Sequence, residues 1–395
     1  MVYCLKFLFF VILRIRIFCM CFYQEVKMAK TEEKKEMTNL KVYEKSDNKN
    51  SLAIYGAQMV AVSMYYAIKE LYPRCEILSF IVSKKEGNPD SIDGIPVVTI
   101  QEWEEKDVPI YIAVPENLHK EIVDSLEEKG LKDYVCIDSE TEAEWMRKFY
   151  EKTGQVQVLS SFPQGKEKVD FFVGMSKFYK DRELKGSYHI PEWVKPIQAG
   201  AALTDVCVAS LQDNAGDNIS IKNVNYCELT AMYWMSKHVS SEYMGLFHYR
   251  RMLDVKEEDL YRIKEGKVDA ILPYPTVHYP NIGEHHKRYL KESDWDAMVQ
   301  ALKEVSPEYY EHFEEVFSGQ YFYNYNMLIA KEEVFKDYCN WLFPILERTE
   351  ELSVPKGNER ADRYIGYMGE NLTTLYFTVN KDKLTIAHAG RKMLI

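Results

Sequence analysis

Among the eight cysteines of this 395-residue chain there is no Cys-x-x-Cys pair and no regular spacing. That speaks against a zinc site or a disulfide frame and for buried thiols in a reducing compartment. There is no basic excess either. The net charge of −11 argues against a nucleic-acid binder, which needs a basic face. Phosphate ligands stay open, because a few arginines in a cleft set the local field whatever the total charge. Long apolar runs are also missing. The stretch Phe7 to Leu13 ends at Arg14, with Arg16 close behind, far short of the ~20 residues a spanning helix needs. No small-residue cleavage site follows it, so a secretory signal is not expected.

What remains is 46% hydrophobic and 28% charged, the composition of a globular protein. The first 27 residues have two readings: a basic, apolar interfacial anchor, or translation starting at Met28, which is the expectation here. Residues 1–50 are taken as a leader, polar and charge-alternating in its second half. From Ser51 short apolar runs alternate with amphipathic stretches: "SLAIYGAQ", "MVAVSMYYAIKELYP", "CEILSFIVS", "GIPVVTIQEW" with a helix start at its end, "VPIYIAVP", "NLHKEIVDSLEEKGL", "YVCID". This alternation predicts a Rossmann-like, doubly wound parallel sheet over 51–150. A dinucleotide site is not expected there. Where the fingerprint wants G-x-G-x-x-G the chain has Gly56, Gln58 and Ala61, and the glycine that lets the backbone approach a pyrophosphate is absent.

A linker, 151–168, is expected to lead into a second α/β domain over 169–395. Its most informative segment runs from Asp213 to Arg251: a polar Gly/Asn loop, a helix "YCELTAMYWMSKH", an apolar strand "YMGLF", then His248, Tyr249, Arg250 and Arg251. Ligands of open α/β sheets bind beyond the carboxyl ends of strands, and guanidinium forks match phosphate oxygens. The competing reading pairs the arginines with Asp254, Glu257 or Glu258 just downstream. Asp213 and Asp217 serve equally as Asx-turn residues or as ligands of a metal, ribose or sugar hydroxyl. "SDWD" holds Asp294 and Asp296, but Ser293 with acids before an apolar periodicity marks a helix start rather than a metal site. "HHKR", His285 to Arg288, lacks the acidic or cysteine neighbours of a zinc site and is expected on a solvated or acceptor-facing surface. Glu370 in "GYMGENL" is the best general-base candidate.

Taken in order, "DNAGDNISIKNVNYCELTAMYW", "YMGLFHYRR", "YNMLIAKEEVFKDYCNWLFPIL" and "RYIGYMGENL" resemble a bacterial family found in capsule and exopolysaccharide gene clusters. That family is catalogued as a domain of unknown function and regarded as glycosyltransferase-like. A looser resemblance is to GT-A sugar transferases, with the His-Tyr-Arg-Arg tetrad standing where those enzymes carry a metal-holding Asp-x-Asp. The resemblance implies a GT-A-like fold for the second domain. It also implies hexose transfer from a nucleoside diphosphate sugar to a saccharide or lipid-linked saccharide acceptor, in the cytoplasm, with peripheral membrane contact. On this reading Asp213, Asp217, Asn218, Asn223, Glu228 and the tetrad meet the donor, and Asn326 and His285 the acceptor. The arginines stand in for a metal; no cofactor is firmly implied, although Mg or Mn is compatible. "HAGRK", His388 to Lys392, is similar to a late motif of retaining enzymes, whereas Glu370 points to inversion, so the stereochemistry stays open. Two rivals remain: a non-catalytic sugar- or nucleotide-binding subunit, and a sugar-nucleotide-modifying enzyme using the first domain.

Overall fold

The computed structural model describes residues 51–394; the expected leader and both of its readings fall outside them. The first sheet contains β1 (Ser51–Tyr55), β2 (Glu76–Val82), β3 (Ser91–Ile92), β4 (Ile95–Thr99), β5 (Ile110–Ile112) and β6 (Tyr134–Cys136). They lie in the order β3-β4-β2-β1-β5-β6, with only the β3–β4 pair antiparallel. The chain winds outward in both directions from β1, the doubly wound arrangement its sequence predicts. Ala53 and Ile54 point to opposite faces, yet both are wholly buried, as in a parallel sheet covered on two sides. Helices Met59–Leu71, His119–Glu128 and Ser139–Thr153 supply the cover. The third starts where the Asp138 side chain accepts from the Thr141 amide and stops at left-handed Gly154, each a favoured cap. The helix start expected at "IQEW" does not form; Glu102 instead accepts from the Thr99 amide and closes a turn.

The second sheet begins earlier than expected. The segment read as a linker contains β7 (Gln157–Val158), which pairs at the sheet edge. Then come β8 (Phe171–Lys177), β9 (Val194–Gln198), β10 (Leu211–Gln212), β11 (Tyr243–His248), β12 (Arg251–Leu253) and β13 (Ala270–Pro273). β14 (Thr276–Val277) and β15 (Tyr321–Phe322) form a separate two-stranded ribbon. β16 (Leu328–Lys331), β17 (Ile386–Ala389) and β18 (Arg391–Met393) complete the sheet. Its main path is β10-β9-β8-β11-β16-β13-β17-β7, with β16 antiparallel to both neighbours and β12 joining β11 to β18. The chain order reverses between β8 and β11, so a crevice opens beyond their carboxyl ends.

Strand periodicity divides the core. Met244, Leu246, Leu328, Ala330, Ala270 and Leu272 face one apolar cluster. Tyr243, Phe247, Met327, Ile329 and Ile271 face the other, as a period of two demands. The first cluster also takes the buried faces of helices Leu229–His238, Glu292–Val305, Glu332–Leu352 and Tyr364–Val379.

From Ser51 onward the chain is one compact unit, and helices of the first half bond directly to the β14–β15 ribbon and its flanks. The Val277 amide donates to Ser63 Oγ at 2.9 Å, Gln320 Nε2 to the Tyr66 hydroxyl at 3.0 Å, and the Tyr150 hydroxyl to the Pro275 carbonyl at 2.7 Å. Asn324 Nδ2 reaches the sulfur of Met59, the first residue of the helix after β1. Side chains of the second half therefore occupy the helix start where a Rossmann sheet would hold a pyrophosphate.

Asp294 is not an open ligand. Its two oxygens accept from Arg360 Nη1 and Nη2 at 2.7 and 2.8 Å, and both side chains are almost wholly buried. The pair ties helix Glu292–Val305 to the segment that leads into helix Tyr364–Val379. Arg360 also holds the half-exposed Asp362 through Nε at 2.8 Å, so losing Asp294 leaves the guanidinium one partner. Asp294→Ala is expected to lower unfolding free energy by about 1–3 kcal/mol, read as a shift in the urea midpoint; a loss under about 0.5 kcal/mol would show that the pair is not structural.

Candidate active site

The strand Tyr243–His248 stays apolar up to its last residue because it is sheet core on both faces. It then turns back within two residues. His248 pairs with Arg251 across a tight hairpin whose tip is Tyr249–Arg250. The tetrad is thus a turn, with a histidine and an arginine at its base and a tyrosine and an arginine at its tip. The hairpin is pinned from outside by the Leu394 amide, which donates to the Arg250 carbonyl at 2.8 Å.

Neither arginine takes the downstream carboxylates proposed as partners. Asp254 is held by Lys392 at 2.7 Å and Glu257 by Lys168 at 3.0 Å. Among the described residues no ion pair involves Arg250 or Arg251, and the Nε–H of each is buried without a hydrogen-bond partner. Buried donors are rarely left so. The Arg251 guanidinium stacks over the Tyr325 ring at 4.5 Å, and Arg391 lies against the same ring at 5.0 Å. Burial works against the Arg251 charge and is only partly offset by Tyr325.

The carboxylate nearest the hairpin is Glu228. It enters the site because the expected helix "YCELTAMYWMSKH" is broken into Asn223–Tyr226 and Leu229–His238. Cys227 sits at the break with φ near +52°, a conformation that costs a non-glycine residue energy and clusters at functional sites. Glu228 is buried; it accepts from Asn326 Nδ2 at 2.8 Å, and lies 3.5 Å from His248 Nε2 and 3.7 Å from Arg363. Burial alone would raise its pKa, but His248, Asn326 and Arg363 outweigh that and hold it down at about 2. His248 Nε2 also lies 2.6 Å from the Tyr325 carbonyl. Tyr325 and Asn326 are themselves both left-handed, with φ of 74° and 48°.

A third arginine arrives on helix Tyr364–Val379. Arg363, at its N-cap, and Tyr367 and Glu370 within it follow one another at four- and three-residue spacing and so share a face. Gly369 lets that helix come close. A Cβ on Gly369 would sit 2.9 Å from Asn326 Oδ1, and the Gly366 carbonyl accepts from Asn326 Nδ2 at 3.0 Å. Glycine inside a helix costs roughly 1 kcal/mol against alanine, and here close approach is what it permits. Arg363 Nε donates to the Cys227 sulfur at 3.0 Å. Loss of water and the nearby Glu228 charge raise the Glu370 carboxyl to about 8, against the pull of the Tyr325 amide, Arg363 and Arg251.

These elements surround a cavity of about 530 Å³ beyond the carboxyl ends of β8 and β11. Its walls include Lys180, Asp181, Glu228, the whole tetrad and Arg363. Asp181 caps the Phe178 amide at 2.7 Å, and burial raises its pKa. The donor set does not suit a divalent cation. Glu228 is already engaged by three partners, guanidinium groups share the space, and among the described residues no three His, Cys, Asp or Glu side chains converge. No step is derived through a metal.

Of the residues expected to meet the donor, the structure brings Asn223, Glu228, His248, Tyr249, Arg250 and Arg251 to this cavity. It does not bring the loop acids. Asp213 is wholly buried, its oxygens taken by the Gly200 amide at 2.8 Å, the Ala201 amide at 3.0 Å and the Ser220 hydroxyl. Asp217 accepts from the Tyr233 hydroxyl at 3.0 Å, and Asn218 binds its own loop through the Asn214 and Gly216 carbonyls. Asp213 is therefore a backbone clamp rather than a donor ligand, and Asp217 and Asn218 lie outside the cavity wall. Asn326, expected at the acceptor, is a fully buried brace of Glu228.

His285 and His286 are not on a solvated surface. His285 packs against His278 at 4.1 Å and Phe322 at 5.2 Å, and burial, then Arg288 and His286, hold its pKa down at about 4. His286 stacks on Trp295 at 3.8 Å. His388, of the retaining-type motif, is buried against the Tyr323 hydroxyl at 2.8 Å and lies outside the cavity wall. Sequence reading overlooked Arg363, Lys180 and Asp181. The Arg363-Tyr367-Glu370 spacing was the available signal for the first; nothing local marked the other two.

Among the described residues, no helix is long and apolar enough to cross a membrane. Residues 185–381, which include the tetrad, Arg363 and Glu370, match the family described as "Domain of unknown function (DUF4422)". No curated protein matches the chain. A solved structure described as the apo form of WbbM, a bifunctional glycosyltransferase, is similar at 25% identity and a TM-score of 0.49. The similarity covers 57% of this chain and 45% of that one, so this chain spans less than half of its length.

Proposed function

We propose that the protein is a glycosyltransferase that takes a hexose from a nucleoside diphosphate sugar and passes it to a saccharide hydroxyl, without a metal. The observation that carries this is that Arg250 and Arg251, without carboxylate partners and each with an unpaired Nε–H, line a cavity at the sheet's topological switch. The layout fits a GT-A-like enzyme: helix, strand and charged tetrad border one cleft. A diphosphate supplies oxygens for the orphaned donors, and guanidinium forks suit it. As the sugar–oxygen bond breaks, negative charge grows on the departing diphosphate, and preorganised cations there act on the transition state.

Glu370 is the base of this reaction. Its carboxylate takes the proton of the acceptor hydroxyl while that oxygen attacks the anomeric carbon, and the diphosphate leaves from the opposite side with inversion. A lipid-linked acceptor in a capsule or exopolysaccharide pathway suits the family resemblance. Such an acceptor places the enzyme at the cytoplasmic membrane face.

Three measurements test this. Arg250→Ala and Arg251→Ala should each weaken nucleoside diphosphate binding about ten- to a hundredfold more than binding of the bare nucleoside, as expected for one charged hydrogen bond. Lysine at either position should restore only part. Equal losses for both ligands would remove the phosphate role, and strong inhibition by a chelator would remove the metal-free claim alone.

Glu370→Gln should leave donor affinity intact and slow transfer roughly 10²–10⁴-fold. A variant with near-normal turnover takes Glu370 out of the mechanism.

The pH profile supplies the third. With the base near pH 8, kcat/KM should climb about tenfold per unit below that value and level off above it. Because the Glu228 charge helps hold the Glu370 proton on, Glu228→Gln should move the plateau to lower pH. An unmoved profile would disconnect the two carboxyls.

A further inference from the structure

We propose that Tyr289 and Tyr367 form the platform on which the acceptor saccharide lies, an aromatic subsite that delivers its hydroxyl to Glu370. This rests on the transferase reading above and gives its second substrate a place. The two rings are 5.2 Å apart with an angle of 33° between their planes. Tyr289 is 49% exposed although it is a large aromatic, and Tyr367 is half-buried beside it. Tyr367 lies one turn before Glu370 on the same helix face. The Arg363 guanidinium, which lines the donor cavity, stands 5.9 Å from the Tyr367 ring on its other flank. Glu370 lies close enough to both tyrosines to act on their hydroxyls electrostatically.

The ring track continues away from the cavity. His285 lies 5.0 Å from the Tyr289 ring, and its own burial against His278 keeps it neutral. The strip is therefore a run of three aromatic rings, with Arg363 beside Tyr367 and Arg288 near Tyr289 at its edges. That chemistry recognises a saccharide: the C–H faces of pyranose rings stack on aromatic rings, and the tyrosine hydroxyls remain available to sugar hydroxyls. The anionic donor is met instead by the guanidinium groups of the cavity, of which Arg363 adjoins the Tyr367 ring.

The experiment uses the whole chain, alkyl glycosides of common hexoses (octyl glucoside, galactoside and mannoside, below their micellar concentrations) and a nucleoside diphosphate. Glycoside binding is read by saturation-transfer NMR, nucleoside diphosphate binding by calorimetry, and folding by melting temperature. Tyr289→Ala and Tyr367→Ala should weaken the best-bound glycoside about three- to tenfold each, with nucleoside diphosphate affinity unchanged. Phenylalanine at either position should keep most of the binding, which a role through the hydroxyl alone would not allow. With an active donor, the same alanine variants should raise acceptor KM more than they lower kcat. Folded variants that bind glycoside normally, or a wild-type chain that binds none of the three, would overturn the platform. Failure to bind nucleoside diphosphate would instead defeat the donor reading, and the glycoside arm would still decide this one.

Discussion

One buried carboxylate holds the site together. Glu228 is gripped by the end of β11 through His248, by the left-handed turn before β16 through Asn326, and by the N-cap of helix Tyr364–Val379 through Arg363. It belongs to a fourth element, the helix broken at Cys227. A charge taken out of water is tolerated only when its partners are well placed, so its neighbours are constrained in turn. The break at Cys227, the paired left-handed residues and the helical Gly369 each cost conformational energy, and each lets a partner reach Glu228. The same negative charge also acts on Glu370, which is not itself part of the cavity wall. A structural ion cluster and the protonation state of a candidate base are in this way a single electrostatic arrangement.

Much of the fold was legible because strand and helix signals are local. The apolar run of β11 and the alternation of β1, β2, β4, β5 and β6 with helices sit within a few residues of what they determine, whereas the helix Ser139–Thr153 went unread although its Asp138 and Gly154 caps are equally local. The site was legible in proportion to how local it is. The tetrad is contiguous and follows a strand, so its place at a sheet edge could be read. That it forms a hairpin, with the histidine turned to Glu228 and one arginine stacked on a tyrosine, depends on residues about 20 and 75 positions away and could not.

The loop acids show the opposite failure. Asp213 sits in a Gly/Asn-rich segment that resembles a ligand loop, but its oxygens are consumed by the Gly200 and Ala201 amides and Ser220. Whether a carboxylate serves a ligand or its own backbone is decided by which amides fold against it. Composition carries no record of that. The His-His-Lys-Arg run is mixed: His286 is buried on Trp295, His285 packs half-buried against His278 and Phe322, and Lys287 and Arg288 are exposed.

The hydrogen bonds between the first half's helices and the β14–β15 ribbon bear on how the two halves can be handled apart. Ser63, Tyr66 and Tyr150 are partners of the backbone and side chains around Pro275, Val277 and Gln320, the stretch that runs on to His285 and Tyr289. Separating the first half would leave these donors and acceptors, several of them buried, without their partners. The first half is thus a footing for the ribbon rather than an appendage to it.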